Sequence, residues 1–248
     1  MPRIDHVCIG ARNLYEGFER LRDETGLDCY DGGWNPGMGI AQRIVPLGAR
    51  TYIEINSPID HEMALRHFYA RWYVAVLSAA GGEDRFMGWV IAVDTKENLR
   101  EIGDRLGLEI AGEGKWIDGK EYAWKRRRPN GQSHTNENVP DDRHHAWPRG
   151  LPMFMLWPDE AAGDHPDTIP EAAAVRHRGV APKGIAWVEV GDEKLTREWL
   201  GPLAGELDVR YVDGPAGLYG MGVATDAGEI VIRRKPVPLE LGHHYSPE

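Results

Sequence analysis

The chain has 248 residues, of which 42% are hydrophobic and 27% charged, with a formal net charge of −10. That is the balance of a globular protein with enough length for one large core or two modest ones. The acidic excess argues against a general nucleic-acid or anionic-membrane binder, and no apolar run approaches the ~20 residues of a membrane helix.

One order of elements recurs three times: strand, capped helix, glycine, further strands. In the first copy Ile4 to Gly10 is rich in β-branched residues and reads as a strand. Asn13 and Glu16 form a capping box, Leu14, Phe18 and Leu21 follow at helical spacing, and Gly26 ends the helix. Strands are expected from Leu27, over Ala41 to Leu47, and over Thr51 to Asn56. A connecting helix from Asp60 to Ala80 carries Leu65, Phe68, Trp72 and Val76 on one face.

In the second copy Met87 to Val93 is the strand, Asp94 with Glu97 the cap, Leu99, Ile102 and Leu106 the stripe, and Gly107 the stop. Glu121 to Arg128 and Pro152 to Trp157 supply later strands. Pro158 to Pro182, with scattered Pro, Asp and Gly, reads as a surface connection. In the third copy Ile185 to Val190 is the strand, Asp192 the cap, Leu195, Trp199 and Leu203 the stripe, and Gly205 the stop. Val209 to Val212, Leu218 to Ala224 and Glu229 to Arg233 complete it.

The expected fold is therefore α+β: repeated βαβββ modules whose curved mixed sheets pair around a central cavity. The divisions are 1–58, a helix over 59–85, 86–157, a loop over 158–182, 183–236 and a tail over 237–248. An unpaired third module would leave an open sheet face, which invites a homodimer.

Alternation along the strands singles out two side chains. His6 shares a face with Ile4 and Cys8, opposite Asp5, Val7 and Ile9; Glu54 shares one with Tyr52 and Asn56, opposite Thr51, Ile53 and Ile55. If those faces meet, an imidazole and a carboxylate converge. They make half of a divalent metal site for Zn, Mn, Fe or Ni, a metal-free base and orienter, or a buried structural pair. His134 and His145 are the further histidines that would complete a metal site, although both lie in loop-like sequence. Trp34, Tyr52, Trp89 and Trp187 would line a pocket for an aromatic ligand or simply fill the core, and Glu189 shares the Trp187 face. The basic run Lys125 to Arg128 reads as a solvated edge or an anion contact.

Cys8 and Cys29 stand in apolar contexts and are expected as buried free thiols, with Cys8, on its strand, inert. That usage, together with an opening that runs straight into a strand, suggests a cytoplasmic protein.

Several pieces resemble glyoxalase-like domains of the vicinal-oxygen-chelate superfamily. They are Ile4-Asp5-His6-Val7, the turn from Gly32 to Gly39, Val45-Pro46-Leu47-Gly48, Tyr52-Ile53-Glu54-Ile55, and Leu151 to Trp157 followed by His165-Pro166. Together they cover about residues 3 to 166. The resemblance implies a metal held by first and fourth strands of two paired modules, with His6 and Glu54 as one half. The other half departs from the pattern: Trp89 and Trp187 stand where His6 does, and Asn35 replaces a histidine common in the glycine-rich turn. Three functions follow. One is a metal-assisted lyase, isomerase or hydrolase acting on a small oxygen-bearing substrate, with aromatic substrates suited to the tryptophans. The second is metal-free sequestration of an aromatic or drug-like ligand. The third, Fe(II) ring cleavage, needs a second well-placed histidine.

Overall fold

The structure, a computed structural model, describes residues 1–35, 37–107, 146–157 and 165–237, with two-residue strands at 110–111, 116–117, 126–127 and 133–134. The first stretch folds as β1 (Arg3–Gly10), α1 (Leu14–Thr25), β2 (Tyr30–Asn35), β3 (Ile40–Gly48) and β4 (Thr51–Pro58). Asn13 caps α1 by accepting from the N–H groups of Tyr15 and Glu16, and Gly26 closes it at φ 75°, a left-handed position glycine adopts without steric cost. β2 begins later than Leu27 and includes Gly32 and Gly33. Gly32 belongs in the strand because a Cβ there would come within 2.7 Å of Ile44 on β3.

The expected connecting helix is two helices, α2 (His61–Arg66) and α3 (Phe68–Ala79). Asp60 caps α2 through the N–H of Met63. His67 then turns extended, and its Nδ1 accepts from the N–H of Ala70. A side chain that caps a new first turn competes with continuing the old helix. Leu65 is accordingly exposed, while Trp72 and Val76 are buried.

The second stretch contains β5 (Arg85–Val93), α4 (Lys96–Leu106), β6 (Ile110–Ala111), β7 (Trp116–Ile117), β8 (Arg126–Arg127), β9 (Ser133–His134) and β10 (Met153–Leu156). The cap of α4 is Thr95, not Asp94, because the Thr95 hydroxyl reaches the N–H of Asn98. Most of the strand expected over Glu121 to Arg128 lies outside the described residues.

The third stretch contains α5 (Pro170–Ala174), β11 (Pro182–Val190), α6 (Glu193–Leu200), β12 (Val209–Tyr211), β13 (Leu218–Thr225), β14 (Gly228–Arg233) and β15 (Lys235–Pro236). Asp192 caps α6 as expected, but α6 ends at Leu200. Gly201, at φ 58°, leads into a 3₁₀ turn that closes at Gly205.

Among the described residues the strands form two mixed sheets. In the larger, the order β6-β7-β10-β5 repeats β2-β3-β4-β1, and the halves join where β1 runs antiparallel to β5. In each half the first strand lies parallel to the last, so the first two stretches are the same unit. The smaller sheet has the order β12-β11-β13-β14. Its first strand takes β12 as parallel neighbour instead of its last strand, so the third stretch repeats the sequence of elements and not their pairing.

The sheets share one core: Val188, Val190, Met221 and Ile232 belong to the same buried cluster as Val7, Ile55, Trp89 and Phe154. Trp199 of α6 stacks on Phe154 and donates to the Pro152 carbonyl at 2.8 Å. Apolar residues of the third stretch are thus packed within the same chain's core. Among the described residues no helix is long and apolar enough to cross a membrane.

The connection after residue 157 is not a loose surface loop over its described part. His165 is fully buried. Asp167 accepts from the N–H groups of Gly48 and Arg50 at 2.7 and 2.9 Å, bracing a hairpin turn in which Ala49 and Arg50 both have positive φ. Tyr30 donates to the Pro166 carbonyl, and Asp28 N–H to His177. Buried polar groups need such partners, which is why this stretch is pinned to the first module.

Candidate functional site

The ladder between β1 and β4 sets His6 beside Tyr52, Cys8 beside Glu54, and Gly10 beside Asn56. Between β3 and β4, Gln42 pairs with Asn56. Neighbours across a ladder share a face, so one face of the large sheet carries His6, Cys8, Tyr52, Glu54, Asn56 and Gln42. All six are buried. One ligand atom each of His6, Cys8 and Glu54 lies within 4.8 Å of the others. Glu54 Oε2 accepts from Cys8 Sγ at 3.4 Å, from Gln42 Nε2 at 3.3 Å and from Asn56 Nδ2 at 3.3 Å. The carboxylate is thereby held in one orientation.

A hollow of about 250 Å³, counted with its open mouth, adjoins Glu54. Asn35, Gln42 and Asn56 form its other polar lining; Met38, Ile40, Tyr73 and Trp147 are apolar or aromatic. Trp147 is seated there by a glycine: Gly88 stands opposite Cys8 on β5, and a Cβ at Gly88 would meet the indole at 2.3 Å. The indole N–H donates to the Trp89 carbonyl at 2.9 Å. Asn35 accepts from the Gly37 N–H and donates to Met38 Sδ.

His6 stacks on Tyr52 with ring centroids 4.5 Å apart and does not itself line the hollow. Its Nδ1 lies 2.9 Å from Asp5 Oδ2. Strict alternation put Asp5 on the apolar face. A bulge between Ile4 and His6 breaks that alternation, and Asp5 becomes a buried hub. Its Oδ1 also receives His165 Nε2 at 3.2 Å, Trp157 Nε1 at 3.0 Å and Arg3 Nη2 at 3.1 Å. Burial pushes the Asp5 carboxyl up, but hydrogen bonds from His165 and His6, with their charge, outweigh it and hold the group well below the usual carboxylate range. A carboxylate only accepts, so His6 Nδ1 and His165 Nε2 are the nitrogens that carry a proton toward Asp5. The Nδ1 of His165 then accepts from the Asp167 N–H at 3.1 Å.

The structure gathers some expected residues and separates others. Tyr52 is at the site, between His6 and the edge of the His165 ring. Trp34 is 36% exposed on β2. Trp89 pairs with Val7 and so occupies the face opposite His6. Trp187 lies in the small sheet, where it donates to Glu229 and carries Arg210 on its ring; Glu189 there is paired with Arg233. Neither lines the hollow. The His134 backbone belongs to β9, while its side chain, all of His145 and the side chains of the basic run lie outside the described residues. Cys29 is half-buried, not buried, and burial pushes its thiol up to about 12.

Sequence reasoning missed Cys8 as a site residue, together with Gln42, Trp147, Tyr73, Asp5 and His165. Gln42 was findable as the polar residue among Ile40, Ile44 and Pro46 on its side of β3. No local signal marked the link from Asp5 to His165, which spans 160 positions.

A family model described as a glyoxalase-like domain matches residues 4–200. No curated protein matches. Among solved structures, a hypothetical protein from Staphylococcus aureus superposes with a TM-score of 0.50 at 11% identity, covering 96% of this chain and 88% of its own. A hypothetical protein from Bacillus halodurans gives 0.39 at 14% identity, covering 64% and 96%. Methylmalonyl-CoA epimerase from Mycobacterium tuberculosis gives 0.38 at 16%, covering 64% and 91%. The first of these supports the fold over nearly the full length; the other two are too distant to inform the chemistry. With its paired modules and a family match over most of its length, this chain belongs to the glyoxalase-like domain family of the vicinal-oxygen-chelate superfamily.

Proposed function

We propose that this protein is a metal-assisted enzyme of the lyase, isomerase or hydrolase type, acting on a small oxygen-bearing substrate with His6 and Glu54 at its centre. The observation that carries this reading is the approach of their ligand atoms to within 4.8 Å in a buried setting. The residues fit a divalent ion: imidazole nitrogen and carboxylate oxygen are ordinary donors for Zn, Mn, Fe and Ni. Gln42 and Asn56 turn their amide nitrogens to the carboxylate, and their oxygens Oε1 and Oδ1 are buried acceptors with no hydrogen-bond partner, as suits a polar centre built for an added group. A divalent ion supplies Lewis acidity toward a substrate oxygen. With Nδ1 of His6 donating to Asp5, Nε2 is the nitrogen left available as ligand or base. Gln42 and Asn56 steady Glu54, which takes up and returns a substrate proton at a carboxylate oxygen.

Metal-free sequestration keeps one observation in its favour. Opposite His6 and Cys8, β5 offers Val90 and Gly88, and β10 offers Met153 beside Val90, with no nitrogen or oxygen donor among their side chains. Metal analysis of protein purified without chelator tests the proposal. One divalent ion per chain, lost in His6→Ala and in Glu54→Gln, supports it. Metal retained in both variants refutes the assignment, and a metal-free wild type that binds aromatic ligands without turnover establishes the second reading.

A further inference from the structure

Resting on that reading, we propose that Cys8 is the third protein ligand of the centre, making it a thiolate-bearing site that prefers Zn²⁺ to Mn²⁺. The missing half of the metal site in the second module is then replaced from within the first.

Three features carry the inference. Cys8 lies directly beside Glu54 across the β1–β4 ladder and on the same face as His6, so one rigid pair of strands positions all three donors. Their ligand atoms form the one group of three or more His, Cys, Asp or Glu side chains among the described residues that is close enough to share an ion. Cys8 Sγ also donates to Glu54 Oε2 at 3.4 Å. An S–H held against a carboxylate in a buried setting sets two ordinary metal-donor groups side by side. Independently, Gln42 and Asn56, whose amide nitrogens donate to the carboxylate, each leave a buried oxygen without a partner, Oε1 and Oδ1, on a residue 3% exposed that lines the hollow. Buried acceptors seldom go without a partner, and these two point to a group that the protein alone does not supply.

The donor set decides the metal. Sites of carboxylate, carbonyl and water suit Mg²⁺ and Mn²⁺, whereas thiolate with imidazole selects Zn²⁺ and its softer neighbours. Three protein ligands with a further position left for substrate is the pattern of catalytic zinc. On binding, the Cys8 S–H bond breaks, sulfur keeps the electron pair and donates it to the ion, and the proton passes to buffer, so each ion taken up by neutral Cys8 releases about one proton from this residue. Asp5, which receives His6 Nδ1–H, is the outer partner that orients the nitrogen ligand.

Titration of the full-length apo-protein with Co²⁺ and Zn²⁺ provides the test. Wild type is expected to show a near-ultraviolet thiolate-to-cobalt charge-transfer band saturating at one ion per chain. In Cys8→Ser the band is lost and Zn²⁺ affinity falls by more than the ~10–100-fold that loss of an outer partner costs. The preference for Zn²⁺ over Mn²⁺ narrows in the same variant. Cys29→Ser keeps the band, and Cys8→Ala, with its fold checked by circular dichroism, repeats the loss if serine itself disturbs packing. Co²⁺ bound in a His6-dependent way with no charge-transfer band, and with unchanged affinity in Cys8→Ser, overturns the role of Cys8 and leaves the metal reading standing. Failure of wild type to bind either ion overturns both.

Discussion

Replacing Asp5 probes the hub on which the site's geometry turns. Asp5 is completely buried and receives four donors, from Arg3, His6, Trp157 and His165. Removing one partner of a buried charged cluster costs about 3–5 kcal/mol, a large part of the ~5–15 kcal/mol that holds a typical domain folded. Asp5→Ala is therefore expected to be severely destabilised. Asp5→Asn is the informative variant. The amide oxygen can still accept from Trp157 and His165, but the new NH₂ faces His6 Nδ1, where two donors would meet. A ring carrying one proton resolves this by moving it to Nε2, and the nitrogen proposed as ligand or base is then blocked.

The expected loss for Asp5→Asn is about 1–3 kcal/mol, the cost of disturbing hydrogen bonds to a buried charged group, read by urea unfolding at neutral pH. Nitrogen NMR of the imidazole reports the tautomer. The sign of the pH dependence follows from the lowered carboxyl. Between the ordinary value of 3.8 and the lowered one, the unfolded chain binds more protons than the native one. The stabilisation from Asp5 is thus fully present above pH 3.8 and lost as pH falls below it, so the gap between wild type and variant should close on that acid limb. A variant within ~0.5 kcal/mol of wild type, or an unchanged tautomer, would refute the reasoning.

Gly88→Ala should cost about 1–3 kcal/mol by overpacking, since its new methyl meets the Trp147 indole at 2.3 Å. Most of that cost should vanish in a Trp147→Ala background, and equal costs in both backgrounds would exclude the steric lock. Burial lowers His67 from 6.5 to about 4, and its neutral Nδ1 caps α3 through the Ala70 N–H. Stability should therefore fall as pH drops from 6.5 toward 4, and His67→Asn, which keeps a cap, should flatten that slope in urea titrations at stepped pH. Arg233→Met breaks an exposed pair with Glu189 and should change stability by no more than about 1 kcal/mol; a change in metal content would instead tie the small sheet to the site. Chelator treatment should lower the melting temperature of wild type and leave that of His6→Ala unaltered, because only a protein that binds the ion gains stability from it.

The order of elements was legible because it is written locally. Asn13, Asp60 and Asp192 cap the helices predicted for them, and Gly26 and Gly107 end theirs in left-handed conformations. Alternation also put His6, Cys8, Glu54 and Asn56 on the correct faces, since each lies within an uninterrupted part of its strand. It failed at Asp5, where a bulge needs β5 as a partner before it exists. It failed too for Trp89 and Trp187, whose strands resemble β1 in sequence but pair in other registers and sheets.

What the sequence by itself determined is most of the helices and strands, their recurring order, and the strand faces that carry His6 and Glu54, because caps, glycines and periodicity act over a few residues. Only the tertiary structure decided that Cys8 and Gln42 join Glu54, that Trp147 fills the space over Gly88, and that His165 reaches across to Asp5. Those contacts depend on strand register and on loops returning from distant parts of the chain, and no local preference encodes either.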